Sequence, residues 1–166
     1  MAEQSAVCKE LWLLDGLEDF RRYSLELVKH CHRQIAILSY ELDEPVYGDA
    51  NYVQAISDFV RSSRHIHMQI LVKDTKRAIE YGHPLVKLAQ RLSSKIQLRK
   101  LTQQPNNQEM GFMLGDTSKL LYKNDDSHYR GFFNSAAARE VKQLREEFNY
   151  LWQYAEPEPE FQQFFL

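Results

Sequence analysis

The sequence predicts an α/β domain, a mixed sheet covered by helices on both faces and finished by a long C-terminal helix. Three observations predict it. Short apolar runs of strand length alternate with segments whose apolar residues recur at the period of a helix. One run, "QIAILSYEL" (34–42), is near-continuously apolar in its middle, which suits a strand buried on both faces. Glycine, proline and Asp-Gly punctuate the chain between the runs.

Taken in order, "ELWLLDG" (10–16) is a short strand that ends in an Asp-Gly turn. In "LEDFRRYSLELVKHCHR", Leu17, Phe20, Ser24, Leu27, Val28 and Cys31 fall on one helical stripe. The strand 34–42 follows, then "DEPVYGD", a loop punctuated by Pro45 and Gly48. Asp49 or Asn51 caps the next helix, whose apolar positions are Tyr52, Val53, Ile56, Phe59 and Val60. "HIHMQILVKD" (65–74) is a strand ending at Lys73-Asp74. "DTKRAIEYG" is a short helix stopped by Gly82. "HPLVKLAQRLSS" carries Pro84 in its first turn and Leu85, Val86, Leu88, Ala89 and Leu92 on its buried side.

"KIQLRKL" (95–101) alternates as a strand does, and "TQQPNNQ" is a polar loop. "EMGFMLGD" (109–116) and "SKLLYKN" (118–124) read as two strands joined by a tight turn at Gly115-Asp116-Thr117. "DDSHYRGFFN" reads as a loop. Asn134 or Ser135 then caps "AAAREVKQLREEFNYLWQYA", with Val141, Leu144, Phe148, Leu151 and Trp152 on its stripe. The two prolines of "EPEPE" end it. The order β-α-β-α-β-α-α-β-β-β-α gives a single domain over residues 1–166, with a core of about 8–155. The tail, 156–166, is apolar and is expected to dock on the domain or on a partner.

A chain of 166 residues, 43% hydrophobic, can bury one core of ordinary size. It has no apolar run of membrane-spanning length and no N-terminal charged start followed by a long apolar stretch, so no membrane association and a cytoplasmic location are expected. Cys8 and Cys31 lie far apart, which reads as free thiols rather than a bridge or a metal site. No cofactor and no metal are expected.

The net charge of −2 hides an asymmetry. Residues 61–100 carry ten Lys/Arg against two acids, and the rest of the chain carries eleven against twenty-one. Charge segregated this way makes a field, and a field implies a partner of opposite sign. That partner is nucleic acid or another polyphosphate, another protein or copy of the chain, or the chain's own acidic part.

The strand "EMGFMLGD" leads to a resemblance. With its hairpin and the closing "FNYLWQYA", the pattern resembles half of a phospholipase D superfamily unit, whose central strand carries His-x-Lys-x4-Asp. At those positions stand Glu109, Gly111 and Asp116. A second resemblance is to a smaller phospholipase D-like domain family of proteobacteria, found alone or beside an acetyltransferase domain. It rests on "AILSYELDEPVYGD", "ILVKDTKRAIEYGHPLVKLAQRLSSKIQLRKL", "FMLGD" and "FNYLWQYAEPEPEFQQFFL". The resemblance implies the fold; it carries no activity over. The superfamily's reaction needs a histidine nucleophile, a lysine for the phosphoryl oxygens and two copies of the motif. Glu109 and Gly111 supply neither group, so no catalytic residue is assigned and the set reads as a degenerate site.

Of the six histidines, His65 and His67 share a strand face without a third ligand nearby in sequence, His30 and His32 repeat that spacing, and His128 lies in a loop. His83 precedes Pro84 at a helix start, where it caps the turn or lines a pocket. Three readings remain. The first is a non-catalytic domain binding nucleic acid or polyphosphate through Lys73, Lys76, Arg77, His83, Lys87, Arg91 and Arg99, with Tyr40, Tyr47 and Tyr81 available for stacking. The second is a protein-interaction or assembly module, homodimeric or with another partner. The third is a degenerate phosphodiesterase.

Overall fold

The computed structural model describes residues 10–157. One eight-stranded sheet runs in the order β1-β7-β6-β5-β2-β3-β4-β8. Its strands are β1 (Leu11–Asp15), β2 (Gln34–Ser39), β3 (His67–Val72), β4 (Ile96–Lys100), β5 (Gly111–Gly115), β6 (Lys119–Asp125), β7 (His128–Asn134) and β8 (Glu156–Pro157). β2, β3 and β4 are parallel and all other neighbours antiparallel. The helices are α1 (Leu17–Lys29), α2 (Glu44–Tyr47), α3 (Ala50–Arg61), α4 (Lys76–Glu80), α5 (Pro84–Arg91) and α6 (Ala138–Tyr154). This is the mixed, helix-covered sheet with a long C-terminal helix that the sequence predicts.

Two cores cover the two faces. On one, Phe20, Leu27, Tyr52, Ile56, Val60, Leu85 and Leu88 of α1, α3 and α5 pack on Ile35, Ile37, Met68, Ile70 and Met113. On the other, α6 lays Val141, Phe148 and Leu151 on Ala36, Leu38, Leu71, Phe112 and Leu114. β2 therefore alternates between the two cores and is buried from Ile35 to Ser39, as its unbroken apolar run requires. Among the described residues no helix is long and apolar enough to cross a membrane.

Three expectations are corrected. "DDSHYRGFFN" is not a loop: the Asp125 carboxylate accepts from Ser127 N–H and hydroxyl at 2.7 Å to make a turn, and β7 follows. Gly131 hides that strand's apolar alternation, because a Cβ there would collide with the Tyr122 carbonyl of β6. "DEPVYGD" contains the one-turn helix α2, which tolerates Pro45 because it falls in the first turn. Neither Asn134 nor Ser135 caps α6. Asn134 Oδ1 instead accepts from Ala136 N–H at 2.8 Å, and the helix opens at Ala138 without a side-chain cap. After α6, Glu156 and Pro157 pair with Lys100 and Arg99 as a short edge strand. Cys8 and the tail beyond Pro157 lie outside the described residues.

The carboxyl ends of β2–β4 define one rim of the sheet and their amino ends the other. Antiparallel pairing brings Gly111, Lys123, His128 and Asp15 to the carboxyl rim, and Asp116, Lys119 and Asn134 to the amino rim. At the outer edge, β1 bonds to β7 through its even-numbered residues, with Gly16 N–H on Tyr129 O at 2.8 Å and Ser135 N–H on Glu10 O at 2.9 Å. Leu11 and Leu13 thus turn their backbone groups outward, and their side chains are 47% and 81% exposed. The outward N–H of Asp15 is taken by the Asp19 carboxylate at 2.9 Å.

Candidate functional site

At the carboxyl rim β3 ends and delivers Lys73. Its ammonium donates to Gln108 O (3.0 Å), Met110 O (2.6 Å) and Asp126 Oδ2 (2.9 Å), which uses all three protons. The side chain is only 10% exposed. Beside it, Lys123 of β6 donates to Asp43 Oδ2 at 3.0 Å and to Asp126 O at 2.9 Å, with its ammonium over the Tyr129 ring. Burial pushes the Asp126 carboxyl above its ordinary range, against the pull of Lys73 and Lys123. Burial and the neighbouring Asp43 push the Tyr129 phenol upward. Arg21 and Asp49 pair at 2.6 Å on the far wall. Asp49 also caps α3 through Asn51 and Tyr52 N–H. Arg21, Asp43, Asp49, Lys123, Asp126 and Tyr129, with Glu41, Glu44 and Arg77, line an open cleft of about 730 Å³ in which five carboxylates face three cations; Lys73 stands behind Asp126.

The three motif positions do not meet. Glu109 is exposed in the turn before β5, its N–H donating to Asn107 Oδ1 at 3.0 Å. Gly111 opens β5 at the carboxyl rim, where a Cβ would lie 2.9 Å from Leu38 O, so the backbones of β2 and β5 close over the position. Asp116 sits at the opposite, amino rim. Its carboxylate accepts N–H bonds from His32 (2.9 Å), Arg33 (2.8 Å) and Gln34 (3.2 Å), and Arg145 donates to its carbonyl at 2.6 Å. Its φ is +49°, the left-handed region that Asp and Asn tolerate best after glycine.

The sequence-predicted binding residues separate by environment. Lys73 is engaged as described. Arg99 donates to Trp152 O at 2.9 Å and stacks over the Trp152 ring at 4.4 Å, tying β4 to the end of α6. His83 is buried; its Nε2–H donates to Leu42 O at 2.7 Å and its Nδ1 accepts from Leu85 N–H at 3.1 Å, which fixes a neutral ring as the cap of α5. Lys76, Arg77, Lys87 and Arg91 are exposed. Arg77 lies over the exposed Tyr81 ring at 5.4 Å. These four are not one patch: Lys76 and Arg77 lie toward the carboxyl rim, and Arg91, the last residue of α5, lies at the amino rim.

Burial lowers the His83 pKa, partly opposed by the Leu42 carbonyl. The folded protein then holds the ring neutral at a pH where the unfolded chain takes up a proton. Stability is therefore full above the ordinary histidine range and declines as pH falls through it. Urea midpoints measured from pH 7.5 down to 5.5 are expected to fall more steeply for the wild type than for His83→Gln. Equal slopes would remove His83 from this account.

The amino rim has a different character. Lys29, Arg33, Arg61, Arg64 and Arg91 are exposed there, and none pairs with a carboxylate among the described residues. The Lys/Arg–carboxylate pairs found among the described residues, those of Arg21, Lys73, Lys123 and Arg130, all lie toward the carboxyl rim. Sequence reasoning missed the Lys123–Asp43 and Lys73–Asp126 pairs because their partners are 80 and 53 residues apart and leave no local pattern. It also missed Lys29 and Arg33, which lie outside the basic window. Among the described residues no group of three His, Cys, Asp or Glu side chains converges to hold a metal ion.

Residues 16–164 match the family described as domain of unknown function DUF7931. A search of curated proteins finds no match. Several solved structures share the fold. TrmBL2, described as an archaeal chromatin protein with a novel mode of DNA binding, aligns with TM-score 0.63 and 16% identity over 94% of this chain. The chain spans only 59% of that protein. Nuc of Salmonella typhimurium, a phospholipase D family member, aligns with TM-score 0.63 and 12% identity over 89% of this chain and 97% of its own. The phosphatidylserine synthase of Haemophilus influenzae Rd KW20 aligns with TM-score 0.60 and 9% identity over 92% of this chain and 39% of its own. At these identities the likeness establishes a phospholipase D-like fold and nothing further.

Proposed function

We propose that this chain, which belongs to the DUF7931 family, is a non-catalytic phospholipase D-like domain that binds nucleic acid through the exposed cations of its 61–100 segment. The observation that carries the reading is the state of those cations. Seven of the ten, Arg61, Arg64, Lys76, Arg77, Lys87, Arg91 and Lys100, are exposed, and none pairs with a carboxylate among the described residues. Lys73, Lys95 and Arg99 serve the fold instead: Lys95 donates to Ser63 O at 2.7 Å and the other two are engaged as above. The DNA-binding description of TrmBL2 agrees with the reading. Glu109 and Gly111 at the motif positions bring no nucleophile and no phosphoryl-binding cation, which supports binding without hydrolysis.

The test is fluorescence anisotropy with short single- and double-stranded DNA and RNA over a salt series. Four or more phosphate contacts give a log–log slope of about −3 to −4, because each releases close to one counterion. The oligonucleotides should be recovered intact. Absence of binding at low salt would sink the reading. A second reading, self-association or protein pairing, is favoured by the outward backbone and exposed leucines of β1. Concentration-dependent sedimentation of the chain alone tests it.

A further inference from the structure

We infer that the nucleic acid is a duplex held by its phosphates along the amino rim, the side of the sheet opposite the cleft lined by Lys123 and Asp126. This rests on the nucleic-acid reading above and specifies its surface. α1, α3 and α5 all run toward the amino rim and end there in Lys29, Arg61 and Arg91. Part of that charge offsets the helix ends, each equivalent to about half a negative charge. Arg33 and Arg64, exposed in the connections to β2 and β3, come in addition. Exposed His30, His32, His65 and His67 stand among them as further polar groups. Three carboxylates near the row make their own contacts, Asp116 with three backbone N–H groups, Asp58 with Gln54 at 3.0 Å, and Glu26 beside His30 at 3.5 Å, while the exposed Glu10 of the same rim lies at its far end beside β1.

The geometry suits a duplex backbone. α1 packs on α3 and α3 on α5. Packed helices lie about 8–10 Å apart, so the row from Lys29 to Arg91 spans about 20 Å. That length covers about six base pairs at ~3.4 Å each. Among the described residues the exposed aromatics Tyr40, Tyr81, Tyr150 and Tyr154 lie away from the amino rim, so none of them gives it a stacking platform. Single-strand binding relies on such platforms, whereas a duplex presents its phosphates on the outside.

The experiment titrates the full chain with a labelled DNA duplex of about 20 base pairs and with one of its strands. Two charge-reversed variants are compared, Arg61→Glu/Arg64→Glu/Arg91→Glu and Lys76→Glu/Arg77→Glu/Lys100→Glu. The amino-rim variant is expected to lose about 100-fold or more in affinity and the other about tenfold or less. The wild type is expected to bind duplex more tightly than single strand. Arg64→Ala, which removes one charge from an exposed connection, is expected to reduce the salt slope by about 1 and guards against misfolding of the triple variant. A larger loss in the Lys76/Arg77/Lys100 variant, or tighter binding of the single strand, would overturn the placement while leaving the nucleic-acid reading standing. A wild type that binds neither probe would overturn both.

Discussion

Lys73→Met is expected to destabilise the protein by about 3–5 kcal/mol, the usual cost of removing one partner from a buried ion pair. The ammonium is 10% exposed and satisfies three acceptors at once, one of them the 19%-exposed Asp126 carboxylate. Methionine fills the space and leaves two carbonyls and a carboxylate without their donor. For a domain of this length the melting temperature should fall by about 10 °C. Because burial raises the Asp126 pKa in the folded state, the folded protein holds that proton more tightly than the unfolded chain does. The variant's deficit should accordingly shrink as pH falls through the carboxyl range, where protonation removes the unpaired charge. Adding Asp126→Asn should restore part of the loss at neutral pH. Urea unfolding followed by circular dichroism measures all three. A deficit under about 1 kcal/mol would mean that the pair is solvent-screened and that the cleft is looser than its distances indicate.

The second large effect is expected at Asp116. Asp116→Ala removes a carboxylate that receives three N–H bonds from the segment entering β2. It also places a non-glycine residue without a polar side chain at φ +49°. Hydrogen bonds to a charged group contribute about 1.5–3 kcal/mol each, but they are not independent here. The left-handed backbone costs alanine about 1–2 kcal/mol. A combined loss of about 3 kcal/mol is expected. Asp116→Asn keeps the backbone preference and part of the acceptor capacity, and should fall between wild type and Ala. Asp116→Gly relieves the backbone alone and should recover only about 1 kcal/mol. Equal stability of the Ala and Gly variants would mean that the backbone contributes nothing.

The fold was legible because its signals are local. β2's unbroken apolar run, the stripes of α1, α3 and α5, Gly82 after α4 and Pro84 at the start of α5 each declare themselves within a dozen residues. β7 was not legible, because the glycine that lets it approach β6 interrupts its alternation. The start of α6 was misplaced because Asn134 turns the chain with the same side-chain oxygen that would otherwise cap a helix. In the site, the sequence identifies cations but does not say which are buried. Lys73, His83 and Arg99 look no different from Lys76 or Arg77 until Gln108, Leu42 and Trp152 are brought beside them. The gathering of Lys29 and Arg33 with Arg61, Arg64 and Arg91 depends on three parallel crossovers ending at one rim. That is a property of topology rather than of any stretch of sequence.

The outer strand has a consequence for how the protein is made. Leu14 of β1 pairs with Gly131 of β7, 117 residues further on. A ribosome adding about 5–20 residues per second needs roughly 6–25 s to supply that partner. For this interval the stretch from Leu11 to Leu14, with Trp12 at its centre, has no sheet to join. The exposed window is far longer than the time a hairpin needs to close. Nascent β1 is thus the segment of the chain for which a holding chaperone has most to shield, and a pause in translation before residue 128 would prolong that need.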